Sequence, residues 1–142
     1  MWQANAAYRE RSMRVMIAVS SVIGGEKFSS SSVGELSIGE DDFSVRYFVE
    51  GDECLLHVRR GVVTQKRRGN LTFTMTFAEG ECTQCVLEEG GASFSYPIFT
   101  RVLGISLTDG GCSVTLTYLQ GEEGVLSQLA FTAAAIEKRG MR

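Results

Sequence analysis

The sequence predicts an all-β protein: a closed antiparallel up-and-down barrel of about eight strands, with eight to ten as the range. Three observations carry this. Nine glycine-centred breaks cut the chain into short runs: Gly24-Gly25, Gly39–Asp42, Gly51-Asp52, Gly61, Gly69-Asn70, Gly80, Gly90-Gly91, Gly110-Gly111 and Gly121–Gly124. Most gaps span about 8–12 residues, the interval of hairpin-linked strands. Gly, Asn and Asp also supply the positive φ that tight hairpins need. Within the runs apolar and polar residues alternate, and the single proline, Pro97, leaves nearly all of them free to form ladders. So many strands in one flat sheet would leave long bare edges, so closure is the economical arrangement. A sandwich would need a long crossover, and the one long interval is Gly91–Gly110.

The first strand opens near Met13, with Met13, Val15, Ile17 and Val19 on one face. Phe28–Ile38 is a weaker strand, because the serines at 29–32 blur its pattern, and a bulge is expected there. Phe43, Val45, Tyr47 and Val49 form the next inward set, followed by Cys54, Leu56 and Val58. Leu71, Phe73, Met75 and Phe77 oppose Thr72, Thr74 and Thr76, and Cys112, Val114, Leu116 and Tyr118 oppose Ser113, Thr115 and Thr117. Alternation this strict marks one buried and one solvated face. Pro97 is expected to divide its long interval into Ala92–Ser95, an edge-prone piece, and Ile98–Leu107. Leu129, Phe131, Ala133 and Ala135 complete the series.

At 142 residues, 44% hydrophobic and 22% charged, the chain is read as one domain with a real core. The barrel is placed at residues 13–136, with 1–12 as an N-terminal extension (disordered or a short helix) and 137–142 as a C-terminal tail. A net charge of −3 argues against nucleic acid as a partner. No run approaches the ~20 apolar residues of a membrane-spanning helix, so no membrane partner is expected. Arg9–Arg14 ahead of Val15–Ile23 has the outline of an export signal. Ser20 and Ser21 interrupt it, however, and no small-residue cleavage site follows. Cys54, Cys82, Cys85 and Cys112 are therefore read as reduced thiols, and the protein as cytoplasmic.

Three stretches resemble the YwiB-like proteins, a bacterial family of unknown function. They are Val62–Gly80 (VVTQKRRGNLTFTMTFAEG), Tyr96–Thr100 (YPIFT) and Asp109–Tyr118 (DGGCSVTLTY). The likeness runs from about Met13 to Ile136. It departs at Ser95–Pro97, where a relative is expected to carry glycine. The resemblance implies an eight-stranded calycin-type, lipocalin-like barrel in the bacterial cytoplasm. It brings no catalytic residue with it.

No constellation of residues points to a reaction. His57 is the only histidine. Its strand position places it opposite Leu56 and Val58, which suits a half-exposed surface residue better than a triad member. Cys82 and Cys85 have CxxC spacing but lack a second ligand pair, and residues three apart on a strand face opposite sides. No metal site and no cofactor is expected. The charge pattern is more unusual. Cys54–Ala78 contains no acid but carries Arg59, Arg60, Lys66, Arg67 and Arg68, whereas Glu35–Glu53 holds seven acids and one arginine. Cross-strand neutralisation, with Glu50, Asp52 and Glu53 as partners, is preferred over an anion patch formed by Arg59, Arg67 and Arg68. The inward aromatics Phe43, Tyr47, Phe73, Phe77, Tyr118 and Phe131 are the candidate lumen residues. The leading expectation is a non-enzymatic barrel that binds a small apolar or amphipathic ligand. The alternative is a homodimeric interaction module with no small-molecule ligand.

Overall fold

A computed structural model describes residues 11–136. Those residues form ten strands: β1 (Arg11–Ile23), β2 (Glu26–Ile38), β3 (Asp42–Val49), β4 (Asp52–Arg59), β5 (Val62–Arg68), β6 (Thr72–Ala78), β7 (Cys82–Glu89), β8 (Ala92–Thr108), β9 (Gly111–Gln120) and β10 (Val125–Ala135). Each pairs antiparallel with its sequence neighbour, and β10 returns to pair with β1, closing the barrel. The all-β, closed up-and-down architecture is as the sequence predicts, with ten strands at the top of the expected range. No helix among the described residues is long and apolar enough to cross a membrane.

The glycine breaks act as hairpin turns. At Gly24-Gly25, Glu50-Gly51, Arg60-Gly61 and Gly90-Gly91 both central residues have positive φ, the geometry whose twist matches two antiparallel strands. Successive turns alternate between the two ends of the barrel. The β1–β2, β3–β4, β5–β6, β7–β8 and β9–β10 turns share one end, here called the open end. The remaining turns and the two ends of the described chain share the other, the packed end.

Packing differs along the axis. Toward the packed end the lumen is filled by Val15, Ile17, Leu36, Val45, Leu56, Val63, Phe77, Val114 and Phe131, each at most 1% exposed. Two aromatic contacts cap this layer. The Phe77 and Tyr118 rings meet edge-on at 4.9 Å, and the Tyr47 and Phe131 rings are tilted at 5.7 Å.

Three sequence expectations change. The barrel's first strand begins at Arg11, two residues earlier than placed. Phe28–Ile38 is no weak strand, since all of Glu26–Ile38 is extended and paired with β1 through thirteen consecutive registers. Its serines cost β propensity, but a long partner strand overrides that. Pro97 does not divide its interval: β8 runs unbroken from Ala92 to Thr108. The Pro97 carbonyl accepts Gly121 N at 2.9 Å, one rung past the end of β9. In an antiparallel strand a residue's N–H points to the same side as its C=O. The missing proline donor therefore falls where the β9 ladder has already ended. Ala92–Ser95 pairs with β7 but extends beyond the β9 ladder. A bulge between Thr100 and Val102 then reverses the inward set of β8, from Tyr96, Ile98 and Thr100 to Leu103, Ile105 and Leu107. The expected extension over 1–12 lies outside the described residues up to residue 10, as does the tail at 137–142.

Candidate functional site

Above the aromatic layer the lumen opens into a cavity of about 300 Å³. The inward period-two positions of β1, β5–β10 build its wall. Val19, Leu71, Phe73, Met75, Leu87 and Leu129 supply apolar surface, and Ser21, Gln65, Gln120, Tyr96 and Tyr118 supply polar points. No formally charged side chain lines it. The polar groups form a chain: Tyr96 Oη donates to Gln120 Oε1 (3.5 Å), Gln120 Nε2 donates to Ser127 Oγ (3.2 Å), and Ser127 Oγ donates to Val125 O (3.4 Å). Burial pushes the Tyr96 and Tyr118 phenols upward, so both remain neutral donors at physiological pH.

A side crevice of about 120 Å³ shares Val19, Gln65 and Phe73 with this cavity and adds Ser30, Tyr47, Val49, Cys54 and Arg67. It exists because β2 pairs with β3 only over Gly34–Ile38, leaving Glu26–Val33 beyond the last rung. The open end therefore has a slit in its wall between β2 and the β3–β4 hairpin. Burial raises the Tyr47 phenol to about 12, opposed in part by its hydrogen bond with Gln65.

Arg67 faces inward at the crevice beside two carboxylates that balance its charge. Its Nε donates to Asp52 Oδ2 (2.8 Å) and its Nη2 lies 3.6 Å from Glu50 Oε1. Asp52, 2% exposed, also accepts from Asn70 N (2.8 Å) and Leu71 N (3.0 Å), which pins the β5–β6 turn to β4. Gly69 is required beside it: φ is +152°, and a Cβ would collide with the Asp52 carboxylate.

The candidate residues named from sequence separate by depth. Phe73 and Tyr118 line the cavity and Tyr47 lines the crevice, whereas Phe43, Phe77 and Phe131 belong to the packed half and border neither space. Tyr96, Met75, Leu71, Gln65 and Gln120 were missed. The alternation around Phe73 pointed to Leu71 and Met75, but Gln65 and Gln120 read as ordinary polar positions near strand ends.

Arg59, Arg67 and Arg68 do not form one patch. Arg59 sits at the packed end, where it and Arg60 approach Asp41 Oδ2 at 3.5 and 3.1 Å. Arg68 lies on the outer face at the open end, 2.8 Å from Glu53 Oε1. A hairpin of seven registers separates the two ends, and adjacent strand residues face opposite sides, so proximity in sequence did not become proximity in space. His57 is on the outer face, with Nε2 2.9 Å from Asp42 Oδ2, and does not line the cavity. Cys85 faces the lumen while Cys82 is exposed outside, and among the described residues no cluster of metal-ligating side chains occurs.

Together these features define a ten-stranded up-and-down barrel, packed in one half and hollow in the other. The fold is that of the ywiB protein from Bacillus subtilis, whose crystal structure superposes with a TM-score of 0.81 at 18% identity, covering 96% of this chain and 100% of that one. No family model and no curated protein matches the sequence.

Proposed function

We propose that the protein is a non-enzymatic binding protein that holds a small, uncharged, apolar or amphipathic molecule in the open half of the barrel. The carrying observation is the uncharged cavity of about 300 Å³, apolar on most of its wall and edged by the Tyr96–Gln120–Ser127 chain. That volume is at the lower end of small-molecule sites, about 300–1,000 Å³. The wall favours a compact ring system or short chain with one neutral hydrogen-bonding group. Arg67 is a poor anchor for an acid, because Asp52 and Glu50 already balance its charge. His57 and Asp42 support the non-enzymatic reading, since the only histidine is turned away from the place where a substrate would sit.

The test uses a neutral fluorescent naphthylamine, followed by a thermal-shift screen of uncharged aromatic and aliphatic metabolites. Saturable binding near one equivalent is expected, and it is expected to be lost in Leu129→Trp, which fills the cavity from β10. Absence of saturable binding, or binding that Leu129→Trp leaves unchanged while the variant stays folded, would overturn the reading.

A further inference from the structure

We propose that Val19, Gln65 and Phe73 form a partition across the open half of the lumen, and that this partition selects the ligand. Compact neutral molecules are held whole on the cavity side, and extended chains are excluded from the crevice. The inference rests on the binding reading above and adds what decides between its two ligand shapes. These three residues are the ones that border both the cavity of about 300 Å³ and the side crevice of about 120 Å³. In the closed ring of ten strands β6 lies five steps from β1 in either direction, so Val19 and Phe73 approach from opposite walls. Gln65 stands diagonally across the β5–β6 ladder from Phe73, one register from its partner Met75, and closes the same side.

Two properties make this boundary selective. The first is stiffness. Val19 is β-branched and restricted at χ1, and both it and the Phe73 ring pack against the buried core. The Gln65 amide is tied to the Tyr47 phenol on the crevice side. The second is a chemical contrast between the two spaces. The cavity has no formally charged side chain in its wall, while the crevice carries Arg67 and Lys66. Methylenes pushed past the partition would displace water from those cations without replacing its hydrogen bonds, which costs free energy. On the cavity side the same methylenes meet Met75, Leu87 and Leu129. A chain that outgrows the cavity therefore has to fold back or project from the mouth. A fused-ring molecule with one hydroxyl fits whole, with its polar group toward the Tyr96–Gln120 pair.

The test pairs displacement of the neutral naphthylamine with methyl NMR of the full chain. Naphthol and n-decanol are the probes. The Met75 and Leu87 methyls report on the cavity and the Val49 methyls on the crevice. In the wild type, naphthol is expected to contact Met75 and Leu87 and to leave Val49 untouched. From n-hexanol to n-dodecanol, affinity is expected to climb about fourfold per methylene and then level off once the chain fills the cavity. Phe73→Ala and, separately, Gln65→Ala are expected to move that plateau to longer chains and to bring n-decanol into contact with Val49. Leu129→Ala, which widens the cavity from β10 and leaves the partition intact, is expected to keep Val49 untouched. Contact of either probe with Val49 in the wild type would overturn the partition and leave the binding reading in place. So would a Val49 that n-decanol fails to reach in both partition variants. Absence of saturable binding by any of these molecules would overturn the binding reading and this inference with it. Should Phe73→Ala fail to fold, Gln65→Ala and the wild-type contacts still decide the question.

Discussion

Asp52 shows how one buried side chain ties local geometry to solution behaviour. Its carboxyl is held below the ordinary 3.8, first by the Leu71 and Asn70 amides and then by Arg67, while burial acts in the opposite direction. A depressed folded-state pKa means that the unfolded chain takes up the proton first as pH falls. The stabilisation is therefore complete above the ordinary value and is lost as pH drops through the lower, folded-state one. Urea unfolding is expected to show a stability loss below about pH 4 on this account. Asp52→Asn should be less stable at neutral pH and should lose stability less steeply in acid. An unchanged acid slope in that variant would disconnect Asp52 from the effect. Thr100 presents the reverse situation: it is fully buried, and its Oγ1 has no hydrogen-bond partner. Thr100→Val keeps the branched shape and removes the unpaired hydroxyl, so it is expected to stabilise by about 1 kcal/mol in the same assay. Phe131, wholly buried with its ring tilted against Tyr47, is the contrasting large core residue. Phe131→Ala should destabilise by about 3–5 kcal/mol.

At the scale of elements, β2 combines two environments in one strand. Gly34–Ile38 has partners on both sides, β1 and β3, whereas Glu26–Val33 has β1 alone. Local opening is easiest where one flank of a strand has no ladder. Hydrogen exchange should thus show strong protection at Leu36 and weak protection at alternate amides between Lys27 and Val33. Uniform protection along β2 would mean that the slit at the open end is closed in solution. The same strand shows which features of the fold were legible in sequence. Strict alternation in β6 and β9 gave their faces directly, because each lies between two neighbours and has one side on the core. β2 escaped that reading, since its four serines give no apolar–polar alternation to mark a face and its strand state comes from pairing with β1. Pro97 misled for a related reason. A proline breaks a ladder only where its N–H was needed, and that depends on where β9 ends, which is a tertiary fact.

At the scale of the whole molecule, the aromatic positions were readable but their depth along the barrel axis was not. Phe73, Phe77 and Tyr118 carry the same period-two signal, yet Phe77 is packed and the other two border free space. The charge blocks were more informative, because hairpin topology sets consecutive strands side by side. The acidic segment before residue 54 and the basic segment after it become β3, β4 and β5, and their opposite charges meet across the ladders. Arg59 and Arg60 reach Asp41, Arg67 reaches Asp52 and Glu50, and Arg68 reaches Glu53. Scattered and paired in this way, they leave no concentrated positive field, and the net charge of −3 adds repulsion toward polyanions. The protein is therefore expected to pass through a heparin column without salt-dependent retention. Removing the acids should expose what they neutralise. In Asp41→Asn combined with Glu53→Gln, Arg59, Arg60 and Arg68 lose their partners while net charge rises from −3 to −1. Weak retention is expected to emerge in this variant and to vanish as salt shortens the screening length to about 8 Å and below. Salt-sensitive retention of the unaltered protein would show instead that these exposed pairs open readily in solution, and would make an anionic ligand the better reading of the barrel's charged half.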